Sequence, residues 1–177
     1  MRRLAKCGQS NDVDSPLQHC FPPVVRPTTR LLVLGSLPGA MSLAARRYYA
    51  NPRNQFWSLI GGVIDHPLDG ADYEQRLATL LDAGVGLWDT VAAARRPGSL
   101  DSDIRLHAAS DLRALIETLP ELRAVAFNGG TSAKIGRRQI GDGSRRFELV
   151  DLPSSSPAYT LPIDEKKERW LKLRCYL

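Results

Sequence analysis

The segment Arg30-Leu-Leu-Val-Leu-Gly35 determines the predicted fold, and Ser-Leu-Pro-Gly39 follows it directly. Its unbroken apolar run predicts a strand buried on both faces, as strands of a parallel sheet are. The strand leads straight into a turn, where Gly35 and Gly39 permit close backbone approach and Pro38 stiffens the chain. Amide groups in such a turn could hold an anion or a water molecule, but the motif alone is more typical of a plain turn.

Helices and strands alternate along the rest of the chain. We predict further strands over 85–89, 124–127 and 147–152, and helices over 54–64, 73–82, 110–119, 131–139 and 164–173. This alternation is typical of βαβ units, which build a mainly parallel sheet with helices on both faces. Residues 1–28 are polar and aperiodic and predict a loosely structured arm, so residues 29–177 form the predicted domain.

Composition narrows the class of protein. A chain of 177 residues suits one domain, and 43% hydrophobic with 24% charged residues is typical of a folded one. The 24 Lys and Arg residues outnumber the 19 Asp and Glu residues. This excess is equally compatible with a polyanionic partner and with a basic surface that binds no such partner. Scattered cysteines and histidines predict free thiols and no metal site. No apolar run suits a membrane span or a secretory signal, so we expect a cytoplasmic protein.

Four strand ends carry unusual loops, at 35–39, 88–89, 127–129 and 152–156. In parallel α/β sheets the carboxyl ends of the strands share one edge, and ligands bind in the crevice beyond it. We therefore expect these loops, which are distant in sequence, to surround a single cleft.

The segment Tyr48-Tyr-Ala-Asn-Pro-Arg-Asn-Gln-Phe-Trp57 is the richest in chemistry. Aromatic rings beside amide groups suit the stacking of a planar base and the reading of its edge or the orientation of water. For Tyr49 and Asn54, which precede or open the predicted helix, we favour a functional role. For Phe56 and Trp57 we favour a place in the core, where such rings commonly pack.

Five blocks of sequence occur in order: GSLPG at 35–39, SLAARRYYANPRNQFW at 42–57, GVGLWDTVAAARRPGSLDSDI at 84–104, FNGGTSA at 127–133 and LPSSSPA at 152–158. Together they resemble the uracil-DNA glycosylase superfamily and, within it, the hypoxanthine (deoxyinosine) DNA glycosylase branch. The resemblance implies a single three-layer α/β/α domain around a central, mainly parallel four-stranded sheet. It also implies a monomeric, monofunctional enzyme without metal or cofactor. Such an enzyme excises deaminated bases from double- or single-stranded DNA, deoxyinosine first and uracil second, and leaves an abasic site.

The resemblance also assigns roles in catalysis. Relatives carry a catalytic Asp or Asn where this chain has Leu37, and the hypoxanthine branch compensates with the asparagines that match Asn54 and Asn128. Because an amide can orient water but is a poor general base, Asn54 is a water-positioning residue and electrostatic stabilisation must lower much of the barrier. Asp89 matches the residue that recognises the base edge. It could accept the N1–H of hypoxanthine or act as the general base, and we favour recognition over the base and over a simple turn cap.

The remaining assignments concern substrate and DNA. Tyr49 matches the ring that stacks on the extruded base. The substrate-binding set is Gly35, Ser36, Leu37, Pro38, Gly39, Tyr49, Phe56 and Asp89, and the DNA-binding set is Arg53, Ser154, Ser155, Ser156 and Pro157. Arginine pairs at 46–47, 95–96, 137–138 and 145–146 offer cations for phosphates, although each pair alone is more typical of a solvated surface. We expect Asp101 to fix its loop rather than to react.

Two other functions stay open. Leu37, in place of the usual water-activating residue, is compatible with a non-catalytic DNA lesion-binding module. Relatives also open the last loop with His or Asn where Leu152 stands, and Tyr159 occupies a place where an asparagine is expected. A serine hydrolase built on residues 154–156 is a weaker alternative, because no His–Asp partner accompanies the serines.

Overall fold

The computed structural model describes residues 16–96, 100–101, 104–141 and 146–177. Every predicted strand and helix of the domain has a counterpart, with bounds that differ by at most a few residues. The described elements follow in chain order as β1 (Leu17–His19), β2 (Leu31–Gly35), α1 (Ala40–Ala45), α2 (Phe56–Val63), α3 (Tyr73–Asp82), β3 (Val85–Asp89), β4 (Val91–Arg95), β5 (Arg105–Ala109), α4 (Leu112–Glu117), β6 (Ala124–Asn128), α5 (Gly130–Ile140), β7 (Glu148–Leu152), α6 (Ile163–Leu171) and a closing 3-10 helix (Lys172–Tyr176).

Four parallel strands form the central sheet, in the order β3-β2-β6-β7. Gly35 pairs with Asp89 and Asn128 pairs with Leu152, so the carboxyl ends of all four strands reach the same edge. The central strand β2 is buried along its whole length, as its apolar run predicts. The predicted parallel four-stranded sheet is confirmed.

Helices cover both faces of this sheet. Successive side chains of a strand point to opposite faces, so Leu31 and Val33 pack with α2 and α6, whereas Leu32 and Leu34 pack with α4 and α5. Each of these fully buried side chains contributes roughly 2 kcal/mol of hydrophobic stabilisation. The two cores therefore account for the three layers of the α/β/α domain.

A second sheet was not predicted: three antiparallel strands in the order β1-β4-β5. Only Thr90 separates β3 from β4, and the sequence of β4, VAAAR, is rich in alanine, a weak strand former that leaves no alternating pattern. The described part of the predicted arm joins both sheets, since β1 pairs with β4 and Val24 forms a bridge with Leu87. Residues 1–15 of that arm lie outside the described residues.

Three further observations bear on the class of protein. None of the described helices is long and apolar enough to span a bilayer. Nor do the described side chains include a group of three or more His, Cys, Asp or Glu placed to hold a metal ion. Cys20 and Cys175 are free thiols.

Candidate active site

A cavity of about 450 Å³ opens at the carboxyl edge of the central sheet. Its volume falls within the range of about 300–1,000 Å³ that small-ligand sites occupy. Strand ends supply Asp89, Asn128 and the turn at 35–39, and two loops supply residues around Asn54 and the segment 154–158. The structure therefore brings together every residue of the predicted catalytic, substrate-binding and DNA-binding sets except Phe56.

Asp89 ends β3, lines the cavity and is only 3% exposed. Its Oδ2 atom has no hydrogen-bond partner among the described residues. Burial and, after it, the negative charge of Asp101 raise the pKa of Asp89 to about 7, while the positive charge of Arg96 opposes the rise. A Cβ on Gly35 would lie 2.5 Å from Asp89 Oδ1, so only glycine leaves room for this carboxyl group. The site thus holds a buried carboxyl oxygen that no other described residue satisfies.

Arg96 and Asp101 stand beside Asp89, and we call these three residues the charged cluster. Arg96 is 1% exposed and donates hydrogen bonds to two carbonyl oxygens of the turn at 35–39. Its Nη1 lies 3.7 Å from Asp101 Oδ1. Ser36 donates a hydrogen bond to the Asp101 carboxylate, which also lines the cavity. Asp101 thus contacts Arg96 and Ser36 with its charge at the cavity, and the expectation that it fixes its loop stays a prediction.

Tyr49 lines the cavity with its ring stacked on Phe56, at 3.7 Å between centroids and 9° between planes. Phe56 is fully buried, so its predicted contact with substrate is corrected to a supporting one: it covers one face of the Tyr49 ring. The backbone of Tyr49 is left-handed, with φ of +51°, which costs a non-glycine residue about 1–3 kcal/mol. Trp57 holds this conformation by donating from Nε1 to the Tyr49 carbonyl oxygen at 3.2 Å.

Asn128 ends β6 and ties two loops together. Its Nδ2 donates to Tyr49 Oη at 3.2 Å and to Ser155 Oγ at 2.8 Å, while its Oδ1 accepts from the Ser155 backbone N–H at 2.8 Å. We call Tyr49, Asn128 and Ser155 the polar wall. Both ends of the amide are engaged inside the protein, so Asn128 positions Tyr49 and Ser155, and its predicted catalytic role stays a prediction.

The predicted DNA-binding serines do not behave alike. Ser155 is fully buried, and its backbone and hydroxyl groups are used within the protein, so its predicted contact with DNA is corrected to a structural one. Ser154 and Ser156 are half-buried, and they line the cavity together with the exposed Arg53 and Pro157. These four residues remain placed to meet a DNA strand at the mouth of the cavity.

Asn54 lies just before α2, which begins at Phe56 rather than at the predicted residue 54. Its Oδ1 accepts a hydrogen bond from the Phe56 backbone N–H at 3.0 Å, which satisfies one of the free amides at the helix start. This bond uses one lone pair of the carbonyl oxygen, so the second lone pair and the amide nitrogen can still serve a ligand or a water molecule. The structure is compatible with a water-positioning role and holds the Asn54 side chain in one orientation.

Lys166 of α6 is a residue that the sequence analysis missed. It is 1% exposed, and its Nζ donates to Gln55 Oε1 at 2.8 Å and to the Tyr159 carbonyl oxygen at 2.7 Å. Lys166 therefore joins Gln55, the residue after Asn54, to Tyr159, which follows the segment 154–158. The helix sequence IDEKKERWL carries several similar charges, and no spacing signal distinguishes this lysine from the others.

The predicted arginine pairs have different environments. Arg96 is buried in the charged cluster and holds a turn rather than a phosphate. Arg137 forms a surface ion pair at 2.9 Å with an aspartate. Arg47 is exposed and lines a groove that shares Tyr49 with the cavity, whereas Arg145 lies outside the described residues. Arg47 is therefore an exposed cation beside the cavity, and its contact with a phosphate stays a prediction.

Comparisons with known proteins agree with this geometry. Two relatives named hypoxanthine DNA glycosylase, from Methanosarcina acetivorans and Methanosarcina barkeri, are 38% and 36% identical over 150 and 152 residues, in each case 85% of this chain and 93% of the relative. A solution NMR structure of a candidate uracil DNA glycosylase from Methanosarcina acetivorans matches with a TM-score of 0.78 and 35% identity, over 91% of this chain and 99% of that one. The family model for the uracil DNA glycosylase superfamily matches residues 22–176. The chain therefore belongs to the uracil DNA glycosylase superfamily.

Proposed function

We propose that the protein is a DNA glycosylase that hydrolyses the N-glycosidic bond of a deaminated base, hypoxanthine above all and uracil second, and leaves an abasic site. The observation that carries this proposal is the buried carboxyl group of Asp89, a residue that lines a base-sized cavity and whose Oδ2 has no partner among the described residues. Two relatives that carry the name hypoxanthine DNA glycosylase, each covering 85% of the chain, support the same substrate.

The target nucleotide must leave the DNA stack to reach this cavity. Extrusion costs a few kcal/mol and is easiest for a mispaired or damaged base, so the lesion itself favours capture. Ser154, Ser156 and the exposed Arg53 and Pro157 stand where the strand would pass. We expect binding to weaken steeply with salt, since phosphate contacts release counterions.

Recognition falls to Asp89. An unsatisfied buried polar group costs about 1–3 kcal/mol, and a base that donates an N–H to Oδ2 removes that cost on binding. Hypoxanthine carries an N1–H and uracil an N3–H, each beside a carbonyl group. The ring of Tyr49 would stack on the same base, which contributes roughly 1–3 kcal/mol.

Depth separates recognition from chemistry. The base enters the cavity first, while its sugar stays attached to the strand outside. Asp89 is almost fully buried, which suits contact with the base, whereas the half-buried Asn54 is more accessible to the sugar and the attacking water. This order favours Asp89 as the recognition residue and Asn54 as the group that orients water.

Hydrolysis at this site relies on electrostatics. Leu37 is buried with Val91 and Ala94, so the turn at 35–39 provides no side-chain base. The departing hypoxanthine becomes anionic, and donors held in a dry site stabilise such charge. The amide nitrogen of Asn54 can act as one such donor. The bond from the Phe56 N–H to Asn54 Oδ1 and the bond from Lys166 Nζ to Gln55 Oε1 hold this donor in place before the substrate binds.

The test is a single-turnover assay on duplexes that contain one deoxyinosine or one deoxyuridine, followed by alkali. We expect strand breaks at the lesion, faster for deoxyinosine, and a matched undamaged duplex should stay intact. Tight binding without any break would reject catalysis and leave a lesion-binding module. Neither His19 nor His66 lines the cavity, so a serine hydrolase has no described base to support it. We also propose that the enzyme acts as a monomer, which size-exclusion chromatography with light scattering would test.

A further inference from the structure

The charged cluster does more than a single recognition carboxylate requires. Asp89 and Asp101 both line the cavity, and Arg96 Nη1 stands 3.7 Å from Asp101 Oδ1. Bonds to the turn at 35–39 and to Gln18 Oε1, at 3.1 Å, hold the Arg96 guanidinium in place. Asp101 lies on a more exposed loop, with 37% of its side chain accessible. The cluster therefore combines a fixed cation with a carboxylate that offsets it.

Among the described residues, the other titratable groups that face Asp89 are neutral around pH 7. These groups are Cys20, Tyr48 and Tyr49, and burial raises the pKa of each of them. Arg96 and Asp101 supply the charges that act on Asp89. Asp101 acts in two ways, since its own charge opposes ionisation of Asp89 and its ion pair with Arg96 weakens the attraction of that cation. Both effects add to burial, which is the larger cause of the raised pKa of Asp89.

The protonation state of Asp89 decides which base edge it can satisfy. An ionised carboxylate only accepts hydrogen bonds, so it suits the N1–H of hypoxanthine and has no donor for the bare N1 of adenine. A protonated carboxyl group both donates and accepts. It can pair with the N1–H and carbonyl of hypoxanthine, but equally with the N1 and amino group of adenine. Discrimination against the normal base therefore belongs to the ionised form.

We propose that Asp101, acting through Arg96 and directly on Asp89, is a specificity-determining positioning residue that sets the charge of Asp89 and so the choice between hypoxanthine and adenine. This inference rests on the proposed function, because it assumes that Asp89 meets the base edge. It goes beyond that function in making the substrate range depend on a residue that has no need to touch the base.

The experiment compares the wild-type protein with Asp101→Asn, Asp101→Glu and Asp82→Asn. Asp82 is an exposed acid at the end of α3, next to the amino end of β3, so its substitution makes the same charge change at the opposite edge of the sheet. Carbon-13 NMR follows the Asp89 carboxyl carbon, assigned by its loss in Asp89→Asn. In parallel, single-turnover assays measure release of hypoxanthine and adenine from matched duplexes between about pH 5.5 and 8.5.

We expect the Asp89 carboxyl carbon of the wild-type protein to titrate near pH 7. The ratio of hypoxanthine to adenine release should rise through the same interval. In Asp101→Asn both midpoints should fall by about 1 pH unit, because the opposing charge is gone. Asp101→Glu should restore most of the wild-type profile, and Asp82→Asn should leave it unchanged.

Several results would overturn the inference. One is an Asp89 midpoint in Asp101→Asn equal to that of the wild type. A second is an Asp89 carboxyl group that titrates while the release ratio stays constant. A third is the absence of adenine release even at the lowest pH, where Asp89 is protonated. Failure of the wild-type protein to release hypoxanthine at any pH would instead reject the proposed function, and the NMR midpoints would still measure the control of Asp89 by Asp101.

Discussion

In the polar wall both ends of the Asn128 amide are bonded to Ser155 and Tyr49, whereas in the charged cluster Asp89 Oδ2 has no partner among the described residues. Asn128 and Asp89 line the same cavity, and each ends a strand of the central sheet. A satisfied network is rigid and holds its neighbours in place. An unsatisfied buried group is costly, and a ligand that satisfies it gains that cost as binding energy. The polar wall thus holds its neighbours in position, and the unsatisfied carboxyl group of the charged cluster is the one that we propose to recognise the base.

The largest effect is expected when the unsatisfied carboxyl group of Asp89 is removed. Asp89→Ala should lower single-turnover release of hypoxanthine about 1,000-fold, because a preorganised buried partner of the base is lost. Asp89→Asn should retain more activity, since its amide oxygen can still accept the N1–H. A rate for Asp89→Ala within a factor of about ten of the wild type would remove Asp89 from recognition. Asp82→Asn serves as the control for a changed charge.

The cost of the charged cluster should also appear in stability. Burial raises the pKa of Asp89 from 3.8 to about 7, so the folded state holds the proton more tightly than the unfolded chain does. That stabilisation is fully present below about pH 4 and is lost as pH rises through 7. Asp89→Asn has no carboxyl group to ionise. The free energy of unfolding of this variant, relative to wild type, should therefore grow by on the order of 1–4 kcal/mol between those limits.

Urea unfolding at a series of pH values measures this difference for wild type, Asp89→Asn and the control Asp82→Asn. The buried amide of Asp89→Asn has its own unsatisfied groups at every pH. The test is therefore how the difference in free energy of unfolding between variant and wild type changes with pH. A difference that stays constant from pH 4 to pH 8 would contradict a raised pKa for Asp89.

Asn54 stands between the two regions, since part of its amide caps α2 and part can serve a ligand. Asn54→Ser separates these tasks: a serine hydroxyl can still accept the Phe56 N–H, as serine does at helix starts, but it lacks the amide nitrogen. We expect the rate of hypoxanthine release to fall about 100-fold while duplex affinity and thermal stability change little. Asn54→Ala should lose the cap as well. Equal rates for Asn54→Ser and wild type would limit Asn54 to capping.

The convergence of the site could be predicted from the sequence, for a simple reason. The apolar run of β2 and the alternation of strands and helices imply a parallel sheet, and a parallel sheet brings its carboxyl ends to one edge. Gly35, Asp89 and Asn128 follow from that rule. The second sheet could not be predicted, because the alanines of β4 are compatible with strand, helix or loop alike.

The sequence could not distinguish the site residues that support the cavity from those that are free to contact a ligand. Phe56, Ser155 and Asn128 lie in motifs that also contain functional residues, and only contacts distinguish a group that supports from one that binds. Lys166 and Arg96 show the converse, since each is a buried charged residue in a charged segment. Arg96 bonds to carbonyl oxygens of the turn at 35–39, and Lys166 bonds to the side chain of Gln55. These partners lie dozens of positions away along the chain, where periodicity carries no information.

The smallest effect concerns Tyr49, which lines the cavity while its hydroxyl group belongs to the polar wall. Tyr49→Ala removes the stacking surface and should lower kcat/KM for a deoxyinosine duplex about tenfold, in line with the stacking of one base. Tyr49→Phe keeps the ring on Phe56 and loses only the bond from Asn128 Nδ2, so it should change kcat/KM by no more than about a factor of three. Steady-state kinetics on matched duplexes measure both. If Tyr49→Phe lowered kcat/KM as much as Tyr49→Ala, the hydroxyl group would itself bind the ligand, and the polar wall would take part in recognition as well as in positioning.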